Sequence, residues 1–178
     1  MNIHDVVLVD VLGQPVGSME KMAAHQHGGQ LHLAFSVMLF RAGTKGREYL
    51  LQRRAEGKYH SGGLWTNTCC SHPYIGESIV VAAQRRLAEE LGITLENTTQ
   101  LKVVTSFIYR AELDNDLVEH EFDYVLIGEV TELVLELNPE EVSETRWWSE
   151  EEIISQLQFK KTPFTAWFHD VFQAIVTL

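Results

Sequence analysis

The stretch from Ser78 to Gly92 constrains this chain more than any other. Val80, Ala83, Leu87 and Leu91 recur at spacings of three and four, so they share one stripe of a helix and require a layer for that stripe to cover. Gly92 follows the last stripe residue, where a glycine ends a helix in the left-handed conformation without a Cβ penalty. At about 100° per residue, Arg86 and Glu90 fall together on the flank of the stripe, while Arg85 and Glu89 point further away. Two readings compete for these pairs. A surface i,i+4 ion pair of small energetic consequence suits Arg85 with Glu89, and a ligand-holding role suits Glu90.

The sequence around this helix supplies the layer. Val6 to Val11 reads as a strand. Leu31 to Phe40 reads as a longer one, with His32, Ala34 and Ser36 on a less apolar face than Leu33, Phe35, Val37 and Leu39. Gly43 to Gly46 turns the chain into Glu48 to Gln52, and Gly62-Gly63 introduces the segment from Leu64 to Pro73. Leu101 to Leu113 and Glu119 to Val130 form two strands joined at Asp114-Asn115-Asp116, which predicts a hairpin. Ser149 with Glu152 predicts a capping box, and Pro163 suits the first turn of a last helix carrying Phe164, Trp167, Phe168, Val171 and Ile175. Strands flanking a central helix, closed by further helices, predict a layered α/β sandwich with a mixed sheet.

With 178 residues, 45% of them hydrophobic, and no repeat or linker, the chain reads as one domain over residues 1–178. A net charge of −11 disfavours nucleic acid as a partner, so an anionic ligand must meet a local basic cluster. No apolar run approaches the length of a membrane span, and the N-terminal residues lack the pattern of a secretory signal. A cytoplasmic protein with no membrane partner is expected. Its two cysteines, Cys69 and Cys70, are sequence neighbours whose disulfide would be strained, which predicts free thiols.

Chemistry-bearing residues cluster in separated segments. Glu77 is followed, after seven residues, by Arg85-Arg86-Leu87-Ala88-Glu89-Glu90-Leu91-Gly92-Ile93. This run resembles the Nudix box, G-x5-E-x7-R-E-U-x-E-E-x-G-U with U apolar, and the resemblance implies a Nudix-like α/β/α sandwich. Two positions depart from it: Ser71 stands for the leading glycine, and Arg86 stands where Nudix hydrolases place a metal-holding glutamate. That substitution argues against diphosphate hydrolysis.

The segment Thr66-Asn67-Thr68-Cys69-Cys70-Ser71-His72-Pro73 resembles the active-site cysteine segment of type I isopentenyl-diphosphate isomerases. The resemblance extends to Ala24-His25, to Leu31-His32-Leu33-Ala34-Phe35-Ser36 and to Glu119-His120-Glu121-Phe122-Asp123-Tyr124, and runs from about Val6 to Phe168. It implies that Cys70 is an acid/base at the substrate carbon and that Cys69 is not. It further implies that His25, His32, His72, Glu119 and Glu121 hold one divalent ion. Residues two apart on a strand share a face, so Glu119 and Glu121 can aim at one ion while His120 faces away. A nitrogen and oxygen set without thiolate suits octahedral Mn, Fe or Zn. His4, His27, His60, His120 and His169 match no position of the family and read as surface or packing residues.

Moving a double bond requires a proton added at one end of an alkene and another removed at the other, through a tertiary carbocation. By resemblance Cys70 and Glu121 are the two acid/base groups, with Tyr109 as proton partner of the glutamate. Trp167 matches an indole that stabilises the cation, although Ala166 stands where the family has proline and Trp167 equally fits the apolar stripe of its helix. Lys21, Arg54, Lys58 and Arg86 match diphosphate-binding positions, and a magnesium ion would bridge Glu90 to the diphosphate. The implied partner is a small allylic diphosphate, the implied assembly a monomer or homodimer. The competing expectations are a Nudix hydrolase of a nucleoside or prenyl diphosphate, and a non-catalytic module binding metal or diphosphate.

Overall fold

The computed structural model describes residues 5–95, 100–159 and 162–177. Among them nine strands form one mixed sheet: β1 Asp5–Val9, β2 Pro15–Glu20, β3 His32–Gly43, β4 Gly46–Arg54, β5 Trp65–Thr66, β6 Cys69–Ser71, β7 Lys102–Glu112, β8 Val118–Glu129 and β9 Val142–Ser149. The helices are α1 Lys21–His25, α2 Ile79–Leu91, α3 Glu150–Leu157 and α4 Phe168–Val176. None is long and apolar enough to cross a membrane.

β3 is the hub. It pairs antiparallel with β1, β4 and β6, and parallel with β8 from His32 opposite Glu121 to Phe40 opposite Glu129. The less apolar face of this strand is nonetheless covered, since His32, Ala34 and Ser36 are as buried as Phe35 and Val37. The reason is that both faces of the hub are covered, as befits a strand with a parallel neighbour. On one side Phe35, Val37 and Leu39 pack with Ala83, Leu87 and Leu91 of α2. On the other, Met38 and Phe40 pack with Phe168, Val171 and Ile175 of α4.

Local signals placed most elements where the pattern put them. Ser78 caps α2 by accepting from Val81 N–H, and Gly92 ends it at φ 66°, where a Cβ would lie 2.7 Å from the Glu136 side chain. β7 and β8 form the expected hairpin, with Tyr109 opposite Glu121. The capping box at Ser149 and Glu152 opens α3.

Two expectations fail. Pro163 does not open the last helix: Trp65 N–H donates to Pro163 O at 2.8 Å and Thr165 N–H to Trp65 O at 3.0 Å, which holds Phe164 in a parallel bridge to the sheet. That pinning delays α4 to Phe168 and leaves Trp167 as its N-cap residue. Sequence reading also omitted β2, α1 and β9; β2 is exposed at most positions and shows no apolar alternation.

Candidate active site

α1, β3, the segment after β6 and β8 bring three histidines and two glutamates together. His25 Nδ1 donates to Lys21 O and His32 Nδ1 to Gln30 O, each at 2.7 Å, so both rings present the Nε2 lone pair inward. His32 Nε2 lies 3.2 Å from His72 Nε2, and Glu121 Oε1 lies 2.9 Å from His72 Nε2 and 3.5 Å from His32 Nε2. His25 Nε2 is buried with no hydrogen-bond partner, its nearest carboxylate oxygen, Glu119 Oε2, standing 3.6 Å away. A lone pair so buried and so aimed fits a cation. His25, His32, His72 and Glu121 offer ligand atoms all within 4.8 Å of one another, and His25, His60 and Glu119 make a second such group.

β8 supplies the carboxylates through its pleat. Glu119, Glu121 and Asp123 are buried on one face, while His120 turns away and its Nδ1 meets Gly29 O. Tyr109 Oη donates to Glu121 Oε2 at 2.5 Å. Burial works against the Glu121 charge, but His32, Glu119 and Tyr109 outweigh it and bring the carboxyl to about 2. His72 is pushed well down, first by burial and then by its neighbours His32 and Lys21, so its ring is neutral.

The two cysteines project to opposite sides of β6. Cys69 is fully buried in the cluster under α2, whereas Cys70 lines the same cavity as His72, Tyr109, Glu119 and Glu121. The Cys70 thiol donates to Asn67 Oδ1 at 3.6 Å, and burial pushes it up to about 12. Both thiols are free, as expected.

The basic side chains expected to meet a diphosphate also converge. Lys21, Arg54, Lys58 and Arg86 line this cavity together with Trp167. Burial and then Lys58 and Arg86 push Lys21 down, as a cluster of like charges must. Glu141 links two of them, ion-pairing with Lys58 and accepting from Arg86 Nη2 at 3.3 Å. Trp167 is buried in the core cluster against α4 and also faces the cavity, with the Arg54 guanidinium 5.5 Å from its ring.

Glu90 is placed differently from the histidine set. It is buried on α2, accepts from Arg86 Nη2 at 2.6 Å and from Gln52 Nε2 at 3.0 Å, and belongs to neither metal-competent group. Arg85 holds Glu77 through paired contacts of 2.9 and 2.8 Å and reaches Glu89 only at 3.3 Å, so its main partner is the first glutamate of the motif.

Of the two readings offered for His60, surface or packing, the structure excludes the surface: it is 4% exposed, packs against Tyr59 and Trp167, lines the cavity, and sets its Nε2 2.7 Å from Glu119 Oε1. Burial pushes it down against the pull of Glu119, so it is neutral. Tyr59 beside it, with Lys21 Nζ 4.9 Å from its ring centre, was also missed, as was Glu141. Lys58-Tyr59-His60 sits in an irregular loop with no periodicity to read. His27 and His169 are on the surface as expected, and His4 lies outside the described residues.

The sheet, the covering helices and the cavity at the end of β3 and β8 define a Nudix-type α/β domain, and the NUDIX domain family matches residues 30–168. A crystal structure of a Deinococcus radiodurans protein superposes with a TM-score of 0.74 at 16% identity, covering 96% of this chain and 99% of the other. A MutT protein from Methanosarcina mazei superposes with a TM-score of 0.62 at 22% identity, covering 80% and 91%. Sequence relatives are far nearer. The isopentenyl-diphosphate Delta-isomerase of Photobacterium profundum is 55% identical over 175 residues, 97% of this chain and 94% of that one. That of Aliivibrio fischeri strain ES114 is 49% identical over 172 residues, 97% and 94%. The chain belongs to the isopentenyl-diphosphate Delta-isomerase family within the Nudix superfamily.

Proposed function

We propose that this enzyme interconverts isopentenyl diphosphate and dimethylallyl diphosphate, an allylic double-bond shift of isoprenoid biosynthesis. The observation that carries the reading is one cavity holding a free thiol, a carboxylate and phenol pair, and a ring of basic side chains. The diphosphate binds among Lys21, Arg54, Lys58 and Arg86, which leaves the short hydrocarbon against Cys70, Glu121 and Trp167. One of Cys70 and Glu121 gives a proton to the alkene and the other takes one from the carbocation. The pair therefore ends the turnover with its protons exchanged, and is reset by the reverse reaction or by solvent. Tyr109 completes the transfer on the glutamate side, where its hydroxyl already donates to Oε2. The Trp167 indole stabilises the desolvated cation by about 2 kcal/mol.

His25, His32, His72, Glu119 and Glu121 would hold the tightly bound divalent ion, and their imidazole and carboxylate donors suit Mn, Fe or Zn. Such an ion would supply positive charge beside Glu121. Glu90, paired with Arg86, would be the carboxylate that holds a magnesium ion accompanying the diphosphate. The deciding assay incubates purified protein with isopentenyl diphosphate and magnesium and follows dimethylallyl diphosphate. Release of phosphate or diphosphate instead of the isomer would restore the hydrolase reading, which Arg86 at the metal-glutamate position of the box opposes.

A further inference from the structure

We infer that His60 is a positioning residue that fixes the Glu119 carboxylate in the orientation needed to bind the metal. The inference rests on the metal reading above and goes beyond it, because His60 lies on no element that the family motifs single out.

The geometry is that of a clamp. His60 Nε2 lies 2.7 Å from Glu119 Oε1. The second oxygen, Oε2, is left facing His25 Nε2 at 3.6 Å and Tyr109 Oη at 3.4 Å. The tautomer follows from the other ring nitrogen: Ser61 Oγ stands 3.1 Å from His60 Nδ1, where its hydroxyl donates, so Nε2 carries the proton and donates to Glu119. Both nitrogens are then satisfied in a ring that is 4% exposed. The ring itself is held. Arg54 Nη2 donates to the His60 carbonyl at 3.2 Å, Trp167 meets it edge-on at 5.9 Å, and Ser61 takes a positive φ of 53° to set it there. His60 stands outside the group of His25, His32, His72 and Glu121 but forms, with His25 and Glu119, a second set of ligand atoms within 4.8 Å of one another. With its two ring nitrogens already engaged by Ser61 and Glu119, it acts on the Glu119 carboxylate rather than on the ion. The long Tyr109 contact to Oε2, at 3.4 Å, holds this carboxylate only weakly, and the His60 N–H on Oε1 fixes its orientation.

The test measures Mn2+ affinity by chelator competition, with electron paramagnetic resonance of the bound ion, on wild type, His60→Gln, His60→Asn and His60→Leu. Gln places an N–H near the Nε2 position, Asn falls short of Glu119, and Leu offers no donor. Affinity is expected to fall about 10- to 100-fold for Asn and Leu and to stay within a few-fold of wild type for Gln. If Leu fails to fold, the Asn and Gln pair carries the comparison. Wild-type affinity in the folded Asn or Leu variant would overturn the inference, and so would a loss in Gln as large as that in Asn, since packing would then explain both. Two ions per chain, with the second lost in the Asn variant, would overturn it in favour of His60 as a ligand. Absence of Mn2+ binding by wild type would instead overturn the metal reading on which the inference rests.

Discussion

The floor and the rim of one cavity treat their charges in opposite ways. Behind the basic side chains of the rim each carboxylate is already answered, Glu90 by Arg86 and Gln52 and Glu141 by Lys58 and Arg86, and outside the cavity lining, just before α2, Glu77 is answered by Arg85. On the floor, Glu119 and Glu121 are buried among His25, His32, His60 and His72, and among the described residues Tyr109 is the only hydroxyl donating to them and no lysine or arginine is paired to either. Buried anions are costly unless a cation completes them. The carboxylates near the basic cluster already have cationic partners, whereas the floor gathers histidine and glutamate donors that could bind a metal.

The largest effect should come from removing the acid/base groups set between the two regions. Cys70→Ala and Glu121→Gln are each expected to lower isomerisation by about 10²–10⁴ or more, with Cys70→Ala retaining its metal content. Turnover by product chromatography and metal analysis of the same preparations check this. Cys69→Ala is expected to keep wild-type turnover, because its sulfur packs under α2 on the opposite side of β6. A loss in Cys69→Ala equal to that in Cys70→Ala would show that the wrong sulfur had been chosen.

Next in size is a break at the rim. Arg86→Leu leaves the buried Glu90 with Gln52 but without its cationic partner, and removal of one partner from such a pair costs about 3 kcal/mol. Denaturant unfolding should show that loss, and KM for the diphosphate should rise with it. The floor should respond to chelation instead. Stripping the metal is expected to lower the melting temperature, by an amount matching about 2.7 kcal/mol where the free ion had stood at 100 times its Kd. A chelator that left the melting temperature unchanged would remove the distinction drawn between floor and rim.

How much of this was legible in sequence depends on whether a residue sits on a periodic element. The stripe of α2 and the shared face of Glu119 and Glu121 follow from helix and strand periods alone, and the structure places them so. The coverage of both faces of β3 was not legible, because it depends on β8 arriving in parallel from 87 residues further along, as in the Ser36 to Asp123 hydrogen bond. His60 and Glu141 escaped for a related reason. Each acts from a segment without a period, through a partner distant in sequence: Glu119 for the first, Lys58, 83 residues away, for the second.

The smallest expected effect sharpens the comparison from the rim side through pH. Arg85, donating to both oxygens of Glu77, holds that carboxyl below its ordinary 4.5, with help from the Tyr74 N–H and against a smaller burial penalty. A carboxyl depressed in the folded state contributes stability above its unfolded value, and that contribution disappears as pH falls through the lowered folded value. Glu77→Gln should thus destabilise the protein by about 1 kcal/mol at pH 7, a modest figure because the pair is partly open to solvent. The difference between variant and wild type should shrink below pH 4.5 and vanish once Glu77 is protonated in the folded protein as well. Urea unfolding of both proteins across that window measures it, and a difference that stayed constant with pH would mean that Glu77 acts through packing rather than through its charge.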